Sequence, residues 1–227
     1  MLVSMERMRG RNTLLVAWCV VLFALGTSGC VSYSTPHTAR SVPPDREQLT
    51  VASGALGTIS DGTTIDGAIP TIAEVQYREG ISDNLDIGIT GYVLGIMLDV
   101  NWTFIDSQLF AASLNPALGG FAGFDDDDQS ALLWGGGWVS LLIDLGPPRP
   151  VTLTVGPKVG FVAFAGSSSP ADDSPASEAF GSLPVGATAA LRVHVSERTA
   201  IAPEVSVYRI SDDLLLYNAT IGVTVAQ

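Results

Sequence analysis

Period-two alternation of apolar and polar residues constrains this chain more than any other feature. In VTLTVGPKVGFVAF (151–164) the odd positions run Val151, Leu153, Val155, Pro157, Val159, Phe161 and Ala163, opposed by Thr152, Thr154, Gly156, Lys158 and Gly160. GSLPVGATAALRVHVS repeats the pattern, with Leu183, Val185, Ala187, Ala189, Leu191, Val193 and Val195 facing Ser182, Thr188, Arg192 and His194. In IMLDVNWTF the apolar parity is even: Ile96, Leu98, Val100, Trp102 and Phe104 against Asp99, Asn101 and Thr103. Such spacing puts one oily and one polar face on a strand and is incompatible with an amphipathic helix. Ten segments of strand length follow one another, near 49–57, 70–79, 85–92, 96–105, 108–117, 130–144, 151–164, 180–195, 199–210 and 214–226. Helical periodicity is absent, so the chain is expected to be all-β. Hydrophobic residues make up 47% of it. Yet no stretch after residue 30 approaches the run of about 18 apolar residues that a spanning helix requires. The oil therefore fills a large soluble core, or it is hidden in the alternation of a membrane barrel.

The first thirty residues read as an address. MLVSMERMRGRN carries Arg7, Arg9 and Arg11, the apolar segment Leu14–Leu25 follows, and GTSGC closes it. A basic region, a short apolar region and small residues before a cut define a secretory signal peptide, expected over 1–29. Cys30, directly after Thr27, Ser28 and Gly29, resembles the lipobox of bacterial lipoproteins, although Thr27 stands where that family prefers leucine. The resemblance implies that Cys30 is the lipidated first residue of the mature chain, which places lipoprotein-sorting machinery among its partners. Cys19 is discarded with the signal, so Cys30 has no internal partner for a disulfide. Residues 30–48, polar and proline-bearing without a period, read as a flexible tether. A single β domain is expected over 49–227.

Loop lengths then sort by side. With the tether in the periplasm, the turns on that side are 80–84, 106–108, 146–150 and 196–199, all short. The opposite side receives TISDGTTIDGAIP, GGFAGFDDDDQS and AGSSSPADDSPASEA, besides two short links. Together with phrases such as EVQYREGISDNLDIGITGY, this sorting resembles the small outer-membrane β-barrel proteins of Gram-negative bacteria. The resemblance implies an antiparallel up-and-down transmembrane β-barrel of about 10 strands in the outer membrane. It also implies contact with outer-membrane lipid and lipopolysaccharide, and assembly by the barrel-assembly machinery. Trp102, Phe104, Phe110, Phe161 and Tyr217 are candidates for the interfacial girdles. Three features run against the plan. Pro116, Pro157, Pro184 and Pro203 fall inside expected strands, where they remove ladder donors. Aromatic residues are few, and the chain ends VTVAQ where the family commonly ends in an aromatic residue.

If the apolar faces meet lipid, the other faces fill the lumen and must pair their charges. The expected lumen charge network is Glu74, Arg78, Asp86, Asp99, Lys158, Arg192, His194 and Glu204, with Arg78 brought to Asp86 and Arg192 to Glu204 by the short turns. Asp125, Asp126, Asp127 and Asp128 form a candidate cation-binding loop of oxygen ligands, although consecutive carboxylates are more simply solvated. WGGGW (134–138) has no helix, Lys or Ser/Thr in phosphate-loop spacing. A net charge of −12 excludes nucleic acid as a partner. His37 and His194 are the only histidines, and no GxSxG, HExxH or metal-spaced His/Cys cluster occurs. No catalysis, cofactor or metal is expected. Three functions stay open: a structural or binding barrel with a largely plugged lumen, a passive small-solute pore, and a soluble lipid-anchored barrel holding an apolar ligand.

Overall fold

The computed structural model describes residues 37–60, 64–92, 95–125, 130–167, 179–209 and 214–227. The elements are β1 (Glu47–Ser60), β2 (Thr64–Ser82), β3 (Leu85–Tyr92), β4 (Gly95–Asp106), β5 (Phe110–Asp125), β6 (Ser130–Leu145), β7 (Val151–Ser167), β8 (Ala179–Ser182), β9 (Val185–His194), β10 (Thr199–Arg209) and β11 (Leu214–Ala226). Every pairing between these strands is antiparallel. The ladder runs without a free edge, because β1 joins both β2 and β11 while β6 joins β7. β8 and β9 share one position beside β7, the first against Val162–Ala165 and the second against Val151–Val159. Pro184 breaks the strand between them, and its carbonyl accepts the Gly160 N–H at 2.9 Å. The result is a closed barrel of ten strand positions, as the alternation implied.

Pro70 lies within β2 opposite Ala55, and three further prolines sit inside strands, each at a local gap on one side only. Pairing of β4 with β5 skips from Asp99↔Ala117 to Trp102↔Leu114, which sets Val100 opposite Pro116. The β6–β7 ladder skips likewise at Pro157, and the β9–β10 ladder at Pro203. On the other side each proline stays in register, opposite Val139, Ala187 and Ile221 respectively. At Pro116 the missing donor is replaced: Asn115 Nδ2 donates to the Val100 carbonyl at 2.9 Å. The barrel thus closes around its prolines at the expense of a few ladder pairs.

Burial follows the period of two in a direction opposite to that of a soluble protein. The buried set is dominated by Thr, Ser, Asn, Asp, Glu, Arg and Lys, whereas most Ile, Leu, Val and Phe lie on the outer face, Leu56, Leu142 and Val162 being inward exceptions on the strands. Val185, Leu191 and Val223 are 58%, 41% and 45% exposed, while Val193 is half-buried. Trp102, Phe104 and Phe161 also face outward, and the rings of the first two lie 5.8 Å apart. An outer surface this apolar is stable in hydrocarbon and is a liability in water.

One segment departs from expectation. Residues 37–46 were expected to be part of a flexible tether, with the barrel beginning at 49. Instead β1 begins at Glu47, and the ten preceding residues fold against the barrel. Arg46 N–H bonds to the Pro43 carbonyl in a tight turn, with Asp45 at a φ of 62°. His37, Ala39 and Val42 are buried. This stretch has no period for sequence reasoning to find; its order comes from polar contacts made by residues distant in the chain.

Candidate functional site

The interior is layered from the end that carries the short turns toward the opposite end. The first layer is the inserted segment 37–44, here called the strap. Its Val42 N–H donates to Asp86 Oδ2 at 2.8 Å, its Ser41 N–H to Thr103 Oγ1 at 2.9 Å and its Ala39 N–H to Asp144 Oδ1 at 3.0 Å. Thr103 returns a hydrogen bond to the Ala39 carbonyl at 2.7 Å. Arg40 reaches Asp144 Oδ2 at 3.1 Å and Asp106 Oδ1 at 3.2 Å, and also donates to the carbonyls of Ser107 and Gly146. Beside the strap a cavity of about 720 Å³ opens to the outside, lined in part by Arg46, Arg149, Arg192 and His194.

The second layer is ionic. Arg78, on β2, is 1% exposed and is chelated by carboxylates from β3 and β4. Its Nε donates to Asp86 Oδ1 at 2.8 Å, its Nη2 binds the same oxygen, and its Nη1 reaches Asp99 Oδ1 at 2.5 Å. Asn101 Nδ2 donates to Asp86 Oδ2 at 3.4 Å, and Asn115 Nδ2 to Asp99 Oδ1 at 2.9 Å. The antiparallel register explains the convergence. Arg78 pairs with Gly88, and Gly88 pairs with Asp99, so all three project into the lumen at one level. Gly88 itself is required there, because a Cβ would overlap the Asp99 carboxylate and stand 2.7 Å from Arg78 Nη1. A guanidinium buried against two carboxylates is tolerable only with such saturation of hydrogen bonds.

The third layer is aromatic. Trp138 on β6 and Tyr208 on β10 bring their rings to 5.4 Å, although β7 and β9 separate their strands. They fold inward over glycines, since a Cβ on Gly160 would strike the Trp138 ring and one on Gly186 the Tyr208 ring. Tyr92, Met97, Ala117 and Val162 complete this buried apolar cluster. Lys158 Nζ donates to the Tyr208 hydroxyl at 3.2 Å and lies 5.8 Å from its ring centre.

The expected network is therefore distributed rather than continuous. Glu74, Arg78, Asp86, Asp99, Lys158, Arg192 and Glu204 are all buried inside the barrel, and His194 is half-buried at the short-turn end. Arg78 and Asp86 meet. Arg192 and Glu204 form no ion pair within 4 Å: Glu204 Oε1 instead accepts from Thr188 at 2.9 Å and Ser206 at 3.0 Å. Register places Glu204 opposite Ala190, two residues from Arg192, which is the offset at which Arg78 still reaches Asp86; what differs is the direction of the Glu204 side chain, which turns to Thr188 and Ser206. Asp126, Asp127 and Asp128 lie outside the described residues, as does Cys30, and Asp125 is described only as the end of β5. Among the described residues no group of three or more His, Cys, Asp or Glu converges as a metal site.

Sequence reasoning missed Asp144, which holds the strap, accepts from Thr154 Oγ1 at 2.7 Å and is fully buried. Its signal was available, because Ser140, Leu142 and Asp144 share the inward parity of β6. Trp138 shares that parity, and Tyr208 shares the inward parity of Glu204 and Ser206 on β10; their contact with each other, and the role of Arg40, depend on which strands end up facing one another.

No protein-family model and no curated protein matches the chain. Among solved structures it is similar to the outer membrane protease OmpT of Escherichia coli, at 9% identity and a TM-score of 0.51, over 84% of this chain and 100% of that one. It is also similar to Ail, the attachment invasion locus protein of Yersinia pestis, in complex with the heparin analogue sucrose octasulfate. That match has 11% identity and a TM-score of 0.45, and covers 80% and 98% of the two chains. Neisserial surface protein A aligns at 9% identity and a TM-score of 0.40, over 79% and 96%. At such identities the likeness concerns the fold alone.

Proposed function

We propose that this chain is an outer-membrane barrel lipoprotein with a closed lumen, exported by residues 1–29, acylated at Cys30, and serving a structural or binding role. The observation that carries the reading is the inverted burial pattern: polar and charged side chains fill the interior while Leu98, Val159, Val205 and Ile221 face outward. A soluble carrier of an apolar ligand needs the opposite polarity. Closure is supported by the succession of strap, ion cluster and aromatic layer across one narrow lumen, which argues against passive conduction. A structural or binding role is favoured over catalysis because the carboxylates of Asp86, Asp99 and Asp144 are committed to Arg78 and to the strap.

The test is electrophoresis of carbonate-washed outer membranes with and without boiling, followed by recording in planar bilayers. A carbonate-resistant protein whose mobility shifts on boiling, and which gives no channel events, is the expected result. Release by carbonate, or release on Cys30→Ala, would mean that the barrel is not inserted. Steady unitary conductance would replace the closed lumen with a pore.

A further inference from the structure

The strap is held as a ligand is held. Three of its backbone N–H groups and one carbonyl are read by Asp144, Thr103 and Asp86, its His37 ring lies deeper, beside Trp138 and Lys158, and its Arg40 guanidinium makes the ionic contacts at the mouth. The flanking residues Ala39 and Ser41 are small. Contacts of this kind recognise any extended backbone that places a guanidinium between small residues, whether or not it is covalently attached to β1. The wall also carries matching charge. Among the described residues the buried strand charges nearest the strap are Asp86, Asp99 and Asp144 against Arg78 and Arg192, a formal excess of one negative charge, and the strap brings Arg40 into that field. The seat is shaped for a passing chain, because a Cβ on Gly80 would overlap the Pro43 carbonyl. An approach exists too, since the 720 Å³ cavity at the same end runs along Arg40 and Ser41.

We propose that the short-turn half of the lumen is a binding site for an extended cationic peptide segment, and that residues 37–42 occupy it in cis as an exchangeable autoinhibitory strap. The proposal rests on the closed-lumen reading for one point: with Trp138 and Tyr208 closing the far side, strap exchange creates a cup and not a channel. Tethering sets the competition. A segment joined by a few residues has an effective concentration on the order of millimolar, so a free peptide displaces it only in that range or above.

The experiment uses the full chain in a Cys19→Ser, Cys30→Ser background, with Ser41→Cys as the only thiol and a charged maleimide as reagent. The probe is a synthetic peptide copying residues 37–46, and the control is the same peptide with alanine in place of Arg40. The expected result is slow labelling that rises saturably, about tenfold, with the copying peptide at millimolar concentration, and no rise with the control. Absence of a rise up to ten times that concentration overturns the proposal, whether Asp144→Asn accelerates labelling, which shows a strap that leaves without yielding to the peptide, or does not, which shows a strap that is not exchangeable. Labelling as fast as at exposed Pro43→Cys without any peptide overturns it as well, because the strap is then not seated. Thr38→Cys serves as a second reporter if Ser41→Cys disturbs the Thr103 contact. Channel events on adding peptide would instead sink the closed-lumen reading while leaving the peptide site standing.

Discussion

Replacing Arg78 with leucine tests the interior more severely than any other single change. The guanidinium is 1% exposed and compensates two carboxylates, Asp86 and Asp99, whose side chains are 1% and 4% exposed. Removing it keeps most of the aliphatic volume but leaves both acids in the lumen without a cation, and removing one partner of a buried pair costs about 3–5 kcal/mol. Asn101, Asn115 and the Val42 N–H continue to donate to these carboxylates, which favours the lower half of that range. With a urea slope of about 2 kcal/mol per molar, the unfolding midpoint should fall by about 1.5–2 M. The assay is urea unfolding of the barrel in lipid vesicles, followed by tryptophan fluorescence. The triple variant Arg78→Leu, Asp86→Asn, Asp99→Asn should recover most of the loss, since the neutral set has no charge to strand. A midpoint for Arg78→Leu within about 0.3 M of wild type, converted at the same slope, would refute the argument. So would a triple variant no more stable than the single one, because the cost would then lie in lost packing.

Other perturbations probe the remaining layers. Gly88→Ala should destabilise the same cluster by about 1–3 kcal/mol through overpacking against Asp99 and Arg78, whereas Gly91→Ala, whose added Cβ meets only the Val75 carbonyl at 3.9 Å, should cost much less; the same unfolding assay compares them. On the outer face Leu98→Arg should cost about 2–4 kcal/mol in vesicles if the residue lies near the bilayer midplane. Near-wild-type stability would place that face outside the hydrocarbon. Gly160→Val should push Trp138 out of its inward rotamer, read as a shift of tryptophan emission and loss of the contact with Tyr208; an unchanged spectrum would contradict the packing. Asp144→Asn weakens the Arg40 and Ala39 contacts together and should raise Ser41→Cys labelling about tenfold, consistent with a loss of about 1.5 kcal/mol in charge-assisted hydrogen bonding.

Alternation alone determined a good deal about this protein. A period of two has no other physical meaning than two faces, so the strands, their number and the parity of Arg78, Asp99 and Lys158 followed from local chemistry. The Arg78–Asp86 contact followed as well, because one short turn fixes their register. Closure of the barrel, and with it which apolar face meets the outside, was decided by tertiary structure. The same Val185, Leu191 and Val223 would serve a soluble core if the sheet curled the other way. The Glu204 side chain turned to Thr188 and Ser206 and not to Arg192, and closure of the barrel let Trp138, folded over Gly160, meet Tyr208 across two intervening strands. The strap was illegible for a related reason. HTARSV has no period, and its order depends on Asp86, Thr103 and Asp144, which only the closed barrel assembles at one mouth.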